Sequence, residues 1–218
     1  MIVHREIHMA ARARALTVQV CTTGSTTLAA TGSTYTRAAG SFVTDGFKVG
    51  MEVTPAGFSD TARRTITDVT AAVMTVNGTP TAQGAAAGRT LSAGMPQGFV
   101  AENIAYTPIA GTPYVAESYL PGGMTKHALG AFGNLEALPT YVLQLWGPTE
   151  TGIGALSDLA DALLEHFAPT TPLTLANGDV ARVRSDVAPS LSPRTSPAAG
   201  WSVITLSIPL RLYTANSR

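Results

Sequence analysis

Two histidines one helical turn apart, His4 and His8, have a spacing that can ligate zinc. The HExxH order is absent, however, and the sole cysteine, Cys21, stands at no zinc-finger spacing. The pair therefore reads as the solvated face of a short helix. Asp158, Asp161 and Glu165 form a second cluster, able in principle to do acid–base work or to hold a cation. Their spacing puts them opposite Leu156, Leu159, Ala160, Leu163 and Phe167, as the polar face of an amphipathic helix. His127 and His166 stand alone, the latter near a helix C-terminus where the helix dipole favours an imidazolium. Gly152-Ile153-Gly154 is too short to cradle a phosphate, and neither GxGxxG nor a P-loop occurs between a strand and a helix. No GxSxG elbow presents a serine. The sequence thus offers no catalytic residue, no metal ligand set and no cofactor site.

Composition narrows the classes further. The 218 residues can bury a sizeable core without staples, and one cysteine allows no intrachain disulfide. Fourteen basic and fourteen acidic residues balance, and only 13% of the chain is charged against 45% hydrophobic. A neutral, sparsely charged surface repels its neighbours poorly. It suits a subunit that works inside an assembly, or a neutral β-rich protein of secreted type. Base is in local excess only at His4, Arg5, His8, Arg12 and Arg14, which is too sparse for sequence-specific nucleic-acid binding. No apolar run approaches a membrane span, and the N-terminus lacks the apolar stretch of a signal peptide, so cytoplasmic synthesis without export is expected.

The elements that must carry these residues fall into three stretches. Residues 1–16 have helical spacing, with Ile2, Met9, Ala13 and Leu16 near one stripe and Arg5, His8 and Arg12 around it. Residues 17–94 are rich in Thr, Ser, Gly and Ala. Strands are predicted there at 17–21, 34–37, 47–54, 64–69, 73–76 and 90–92, with turns at Asp45-Gly46 and Asn77-Gly78. Ile66, Val69, Val73, Met74 and Val76 would fill a small barrel or sandwich, and the low-complexity residues 79–88 read as a mobile loop. From residue 98 strands are predicted at 99–106, 114–119, 138–145, 180–186 and 201–213, with a helix at 154–167 that Pro169 stops. Residues 124–138 lack a strand pattern and read as a long loop reaching a neighbour. Ile204, Leu206, Ile208, Leu210 and Leu212 alternate strictly, and Pro209 among them suggests an edge strand or a bulge. The expected fold class is α+β: an antiparallel or mixed sheet with helices packed on one face, formed by residues 1–16 and 95–218. An inserted all-β barrel or sandwich, residues 17–94, interrupts it.

Residues 101–121, AENIAYTPIAGTPYVAESYLP, read as two short strands around a Pro/Gly turn. The E-N-x-A-Y-T-P and G-T-P-Y phrases within them resemble the tail-terminator family of long-tailed bacteriophages. The likeness extends through the Leu/Ala-rich helix to the last strand. The phrase D-G-F-x-V-G-x-x-V at Asp45–Val53 is similar to a small β-barrel module added to phage virion proteins. The resemblance implies a non-enzymatic homo-hexameric ring that caps the tail tube, ends its polymerisation and joins it to the head connector. Its partners would be further copies of itself, the tail tube protein and the connector or neck proteins. DNA would pass through the lumen without sequence-specific binding, and the place in the virion would be the head-proximal end of the tail. Loop residues Lys126, Phe132 and Arg194 are the candidate contacts, since loops beside a rigid sheet can order on binding. The loop at 192–197 either docks a partner or simply connects two strands. Tyr106, Tyr114, Tyr119, Tyr141, Trp146 and Trp201 serve either an interface or cross-strand packing. A head-side neck or stopper protein is an alternative. So is a carbohydrate-binding adhesion protein, which would need exposed aromatics among Tyr35, Phe42, Phe47 and Phe58.

Overall fold

The computed structural model describes residues 2–102, 104–126, 135–151 and 154–214. It opens with helix α1 (Ile2–Ala15), whose Ala and Arg residues are strong helix formers. Seven strands follow: β1 (Gln19–Thr22), β2 (Thr26–Thr31), β3 (Thr34–Arg37), β4 (Glu52–Ala56), β5 (Arg64–Val69), β6 (Val73–Val76) and β7 (Gln83–Gly94). They pair in the order β1-β7-β2-β3-β6-β5-β4, and a further β7–β4 pairing closes a six-stranded barrel. Strand β7 makes the closure possible by its length. Its first half pairs with β2 and its second half with β4 and β1. At Gly94 a Cβ would collide with the Val18 carbonyl, so glycine lets the chain pass there. The barrel interior holds Leu28, Tyr35, Phe42, Phe47, Ile66, Met74 and Leu91, all essentially inaccessible to solvent.

Three expectations for this stretch need correction. The strand expected at 47–54 begins only at Glu52, because residues 41–50 wind through turns that drop Phe42 and Phe47 into the core. Strand β2 was not foreseen, since its TTLAAT run has little apolar alternation. The supposed mobile loop at 79–88 is largely strand β7. Its Ala/Gly composition hides a strand whose role is to close hydrogen bonds with β2, and small residues tolerate the irregular register there.

The second sheet holds β8 (Gly98–Val100), β9 (Tyr114–Leu120), β10 (Met124–Lys126), β11 (Leu135–Ala137), β12 (Thr140–Pro148), β13 (Pro172–Thr174), β14 (Val180–Val183), β15 (Ser190–Leu191) and β16 (Trp201–Thr214). Strand β16 is its spine. On one side it pairs with β12 and then β11; on the other it meets β15 and then β14. Pro209 therefore lies in a central strand, not at an edge. The Leu210 amide donates to the Pro139 carbonyl, so the position without an N–H faces the opposite side. There the pairing with β15 reaches only to Ser207 and that with β14 starts at Leu210, so no ladder bond is lost. The expected strand at 99–106 shortens to β8, which runs parallel to β9, and 104–113 is irregular.

Ile204, Leu206, Ile208, Leu210 and Leu212 are all buried, together with Tyr141, Leu143 and Leu145 of β12 and Val115 and Tyr119 of β9. Helix α2 (Gly154–His166) adds Leu156, Leu159, Ala160 and Leu163 to the same cluster, and α1 adds Ile7, Ala11 and Ala15. The α+β class is nevertheless the wrong description. The molecule is mostly β, 45% strand and 14% helix, with a closed barrel and a half-barrel in place of one sheet with helices layered on a face. The expectation failed because strands such as β2, the first half of β7, β10, β11, β13 and β15 carry weak periodicity. Helix weight was overestimated as a result.

Helix α1 also sits differently from its sequence stripe. Its buried face is Ile7, Ala11 and Ala15, while Met9 and Leu16 are each 48% exposed and Ala13 faces solvent. Polar contacts to the sheet decide this orientation.

Candidate functional site

His4, His8 and Arg12 recur every fourth residue and so share one side of α1, and that side faces the sheet. Opposite them stands Glu117 of β9, with its side chain wholly buried. The Arg12 guanidinium donates to Glu117 Oε1, and the Tyr141 hydroxyl donates to Glu117 Oε2 at 2.8 Å. His8 Nε2 lies 3.2 Å from the same oxygen, and its ring stacks on Tyr119 at 5.1 Å between centroids. His4 Nδ1 is 3.0 Å from the Tyr119 hydroxyl. The hydrogen bond from Arg12 to Glu117 holds the guanidinium proton more tightly than usual. Burial first, and then the Glu117 charge, push the Tyr141 phenol well above its ordinary value. The solvated-face reading of the two histidines is thus overturned. They belong to a partly buried polar lock, centred on the buried Glu117, that holds α1 on the sheet. Glu117 was missed, although its place in the buried register Val115-Glu117-Tyr119 was a signal: a carboxylate in an apolar row needs a partner.

A second contact joins the helix ends. Arg14 Nε and Nη2 donate to the His166 carbonyl at 2.8 and 2.6 Å, and His166 Nε2 lies 3.0 Å from the Arg14 carbonyl. Burial, and next the Arg14 charge, lower the His166 pKa, so it is not the dipole-stabilised imidazolium its position suggested. Barrel and half-barrel meet through few polar contacts. Lys48 and Asp158 pair at 2.8 Å, Arg63 donates to the Met95 carbonyl at 3.0 Å, and the Gln97 amide donates to the Glu52 carboxylate. Burial raises the Glu52 pKa. Asp158 thus has a role between the two regions, while Asp161 and Glu165 line the outer side of α2.

The candidate contact residues do not form one patch. Lys126 ends β10, opposite Leu135, which in turn pairs with Thr214 at the end of β16. Arg194 is exposed in the segment before β16 and donates to Ser202 Oγ at 2.7 Å. At about 3.3 Å per residue of strand, the two ends of β16 are some 40 Å apart. Phe132 and His127 lie outside the described residues. Strands β10 and β11 replace the flanks of the long loop expected at 124–138.

The sheet face turned away from the helices carries Ala116, Ser118 and Leu120 of β9, Thr140, Val142 and Gln144 of β12, and Thr205 and Ser207 of β16, all at least partly open to solvent and none charged. At one end of this face Tyr114 stacks on Trp146 at 5.5 Å and meets Trp201 edge-on at 5.2 Å, with Tyr106 packed beside it. Of the six aromatics singled out from the sequence, this group packs across strands on the outer face, and Tyr119 and Tyr141 lie in the inner core. The segment bearing Tyr106 also displays Ile104, 62% exposed, and Ile109, 65% exposed. The barrel's Tyr35, Phe42, Phe47 and Phe58 are all buried. Among the described residues no three His, Cys, Asp or Glu side chains gather as a metal site, and no helix is long and apolar enough to cross a membrane. Cys21 is buried against Met51, its thiol pushed up to about 12 by desolvation.

The sequence model of phage tail terminator proteins matches residues 81–209. The match takes in β7 and runs from there to Pro209 within β16, leaving α1 and β1 to β6 outside. No curated protein matches the chain. Among solved structures, a protein whose name states no function aligns at 18% identity, over 54% of this chain and 79% of its own, with a TM-score of 0.41. A likeness of that size carries no argument.

Proposed function

The chain belongs to the phage tail terminator family, which matches more than half of its length, and on that premise we propose that it forms the ring that closes the tail. It is a structural component of a phage tail and so of the virion. In this reading six copies close a ring on the end of the tail tube. The ring stops tube growth and presents its other side to the head connector, and DNA passes through the lumen without base recognition. The family match carries the reading. The neutral surface supports it, because sparse charge lets like subunits approach. A ring needs a head-to-tail contact between two different patches. Lys126 and Arg194, placed toward opposite ends of the half-barrel, suit such a contact better than they would a shared one. The adhesion alternative lacks the exposed barrel aromatics it requires.

Electron microscopy of virions with the protein labelled is the direct test. Label should fall only at the head-proximal end of the tube, and tails assembled without the protein should run to abnormal lengths or fail to join heads. Labelling along the tube wall or at the host-facing tip would sink the proposal. The barrel is proposed as a separable decoration of this ring. Its separability is tested by replacing residues 19–94 with a Gly/Ser linker, which keeps Val18 and Met95 because both pack in the half-barrel core. A soluble product that melts cooperatively is expected; an unfolded one would mean that the two regions share one folding unit.

A further inference from the structure

Two exposed apolar features of this chain lie on opposite faces of the half-barrel and cannot meet within one molecule. The first is a projection. Ile104 and Ile109 stand out from the irregular segment 104–113, which is held to the outer sheet face by the packing of Tyr106 on Tyr114. The second is a groove of about 540 Å³ beside α1, on the inner side, lined by Met9, Ala10 and Ala13 of the helix and by Thr174 and Ala176. Met9 and Ala13 are the apolar positions that the polar lock turns away from the core. Single exposed apolar residues are ordinary, but a groove with an apolar lining is the kind of surface at which proteins meet, and Ile104 and Ile109 are side chains able to fill one.

One exposed charge at each feature can pair with one at the other. Glu102, next to the projection, is exposed, and Arg5, on the groove, is exposed; among the described residues neither has an ion-pair partner. Glu6 also lines the groove, and its Oε2 is buried without a hydrogen-bond donor among the described residues. An incoming loop brings such donors in its backbone amides and in the Thr107 hydroxyl. We propose that the segment around Ile104 and Ile109 of one copy seats in the α1 groove of the next, as the apolar part of the head-to-tail contact that closes the ring. Different patches on the two partners are what a closed ring requires, whereas a two-fold dimer would use one patch twice. This inference rests on the ring reading and adds the surfaces that would carry it.

Disulfide trapping tests it, since the native Cys21 is buried. Ile109→Cys and Ala13→Cys are made singly and together, and ring formation is followed in parallel by electron microscopy and sedimentation. Under oxidising conditions a mixture of the two single variants should give a cross-linked dimer, and the double variant a ladder up to the full ring. Ala13→Cys mixed with Leu120→Cys should give neither. Ile109→Asp should raise the concentration needed for half-assembly by roughly tenfold or more, as expected for losing one buried isoleucine contact. Arg5→Glu or Glu102→Arg should weaken assembly, and the two together should restore it. Rings that form without the Ile109–Ala13 cross-link would overturn this contact and leave the ring reading standing. Cross-links between two Ile109→Cys copies alone would replace it with a two-fold contact. Failure to form rings at any concentration or on tube ends would remove both.

Discussion

The barrel and the half-barrel are both built mainly from short strands, yet they settle their hydrogen bonds and surfaces in opposite ways. The barrel closes on itself, so it has few free edges, and four aromatics, two methionines and a thiol are sealed inside or against it. Its short strands need no neighbour. The half-barrel stays open, covers one face with two helices, and leaves the other face half exposed, with charge gathered at the Arg211 end of β16 and none among its central positions on β9, β12 and β16. It also buries a carboxylate, Glu117, to fix the N-terminal helix. A closed sheet meets its needs internally, whereas an open one leaves surfaces that only other molecules can cover. In this chain the family match falls mainly on the open region.

The largest test of that contrast lies in the spine. Leu206→Asp would put an unpaired charge among Ile204, Ile208, Leu210 and Leu143, all buried. The expected cost exceeds about 4 kcal/mol, enough to abolish soluble folding of the half-barrel. Ser207→Asp, one residue on and facing outward, should cost under about 1 kcal/mol. Soluble yield and thermal unfolding followed by tryptophan fluorescence measure both, because Trp146 and Trp201 both lie in the half-barrel. Equal tolerance of the two would mean that the outer face is as buried as the inner one, and the open-sheet description would fall.

The spine was legible because five alternating apolar residues leave one choice of face. Helix α2 was legible for the same reason, with Leu156, Leu159 and Leu163 recurring at helical spacing. Helix α1 was placed as a helix but turned the wrong way. Periodicity weighs Met9 and Leu16 as apolar and His4, His8 and Arg12 as polar, and it cannot see that Glu117, over a hundred residues away, needs those polar groups. Strand β7 was illegible because Ala and Gly have no strand preference of their own. Its conformation is set by β2, β4 and β1, which it must join. The exposed Ile104 looked like a strand residue and Ile109 like part of a turn, since sequence alone does not distinguish an apolar side chain facing a core from one facing a partner.

A smaller effect is expected at the polar lock. Glu117→Ala leaves the Arg12 guanidinium and the Tyr141 hydroxyl without their shared acceptor in a buried site. Because the Arg12 side chain is a quarter exposed and can be hydrated, the cost is mainly that of the unsatisfied buried hydroxyl, about 1–3 kcal/mol. Glu117→Gln, which keeps an acceptor for Tyr141, should lose less. In the barrel the pair of Arg37 and Asp45 is the nearest equivalent, but Asp45 is partly open to water, so Asp45→Ala should be milder still. Chemical denaturation of the three variants, with amide exchange to localise the change, gives the order. A Glu117→Ala protein whose α1 amides stay as protected as before would show that apolar packing alone seats the helix.

The smallest effect is the one that separates the two regions by sign. His4 and His166 both tie α1 to its surroundings, and burial lowers the pKa of each from the ordinary 6.5. The folded state therefore favours their neutral forms. Their contribution is complete above about pH 6.5 and is lost as pH falls through the lowered folded-state values. In the barrel, burial raises Glu52 above its ordinary 4.5, so the folded state favours the protonated acid. That contribution is complete below about pH 4.5 and is lost as pH rises through the raised value. Acidification from pH 7 toward 5 should consequently loosen α1 while the Glu52 contribution to the barrel grows. Asp60 and Asp186, whose pKa values are lowered by hydrogen bonds from a backbone amide and from Arg184 respectively, stay ionised throughout that range. Amide exchange across the pH series, corrected for its intrinsic pH dependence, should show protection falling in α1 and holding in β4. His4→Gln with His166→Gln should flatten the α1 response. If α1 and β4 lose protection together, the two regions unfold as one unit and the contrast between a closed and an open half has no thermodynamic counterpart.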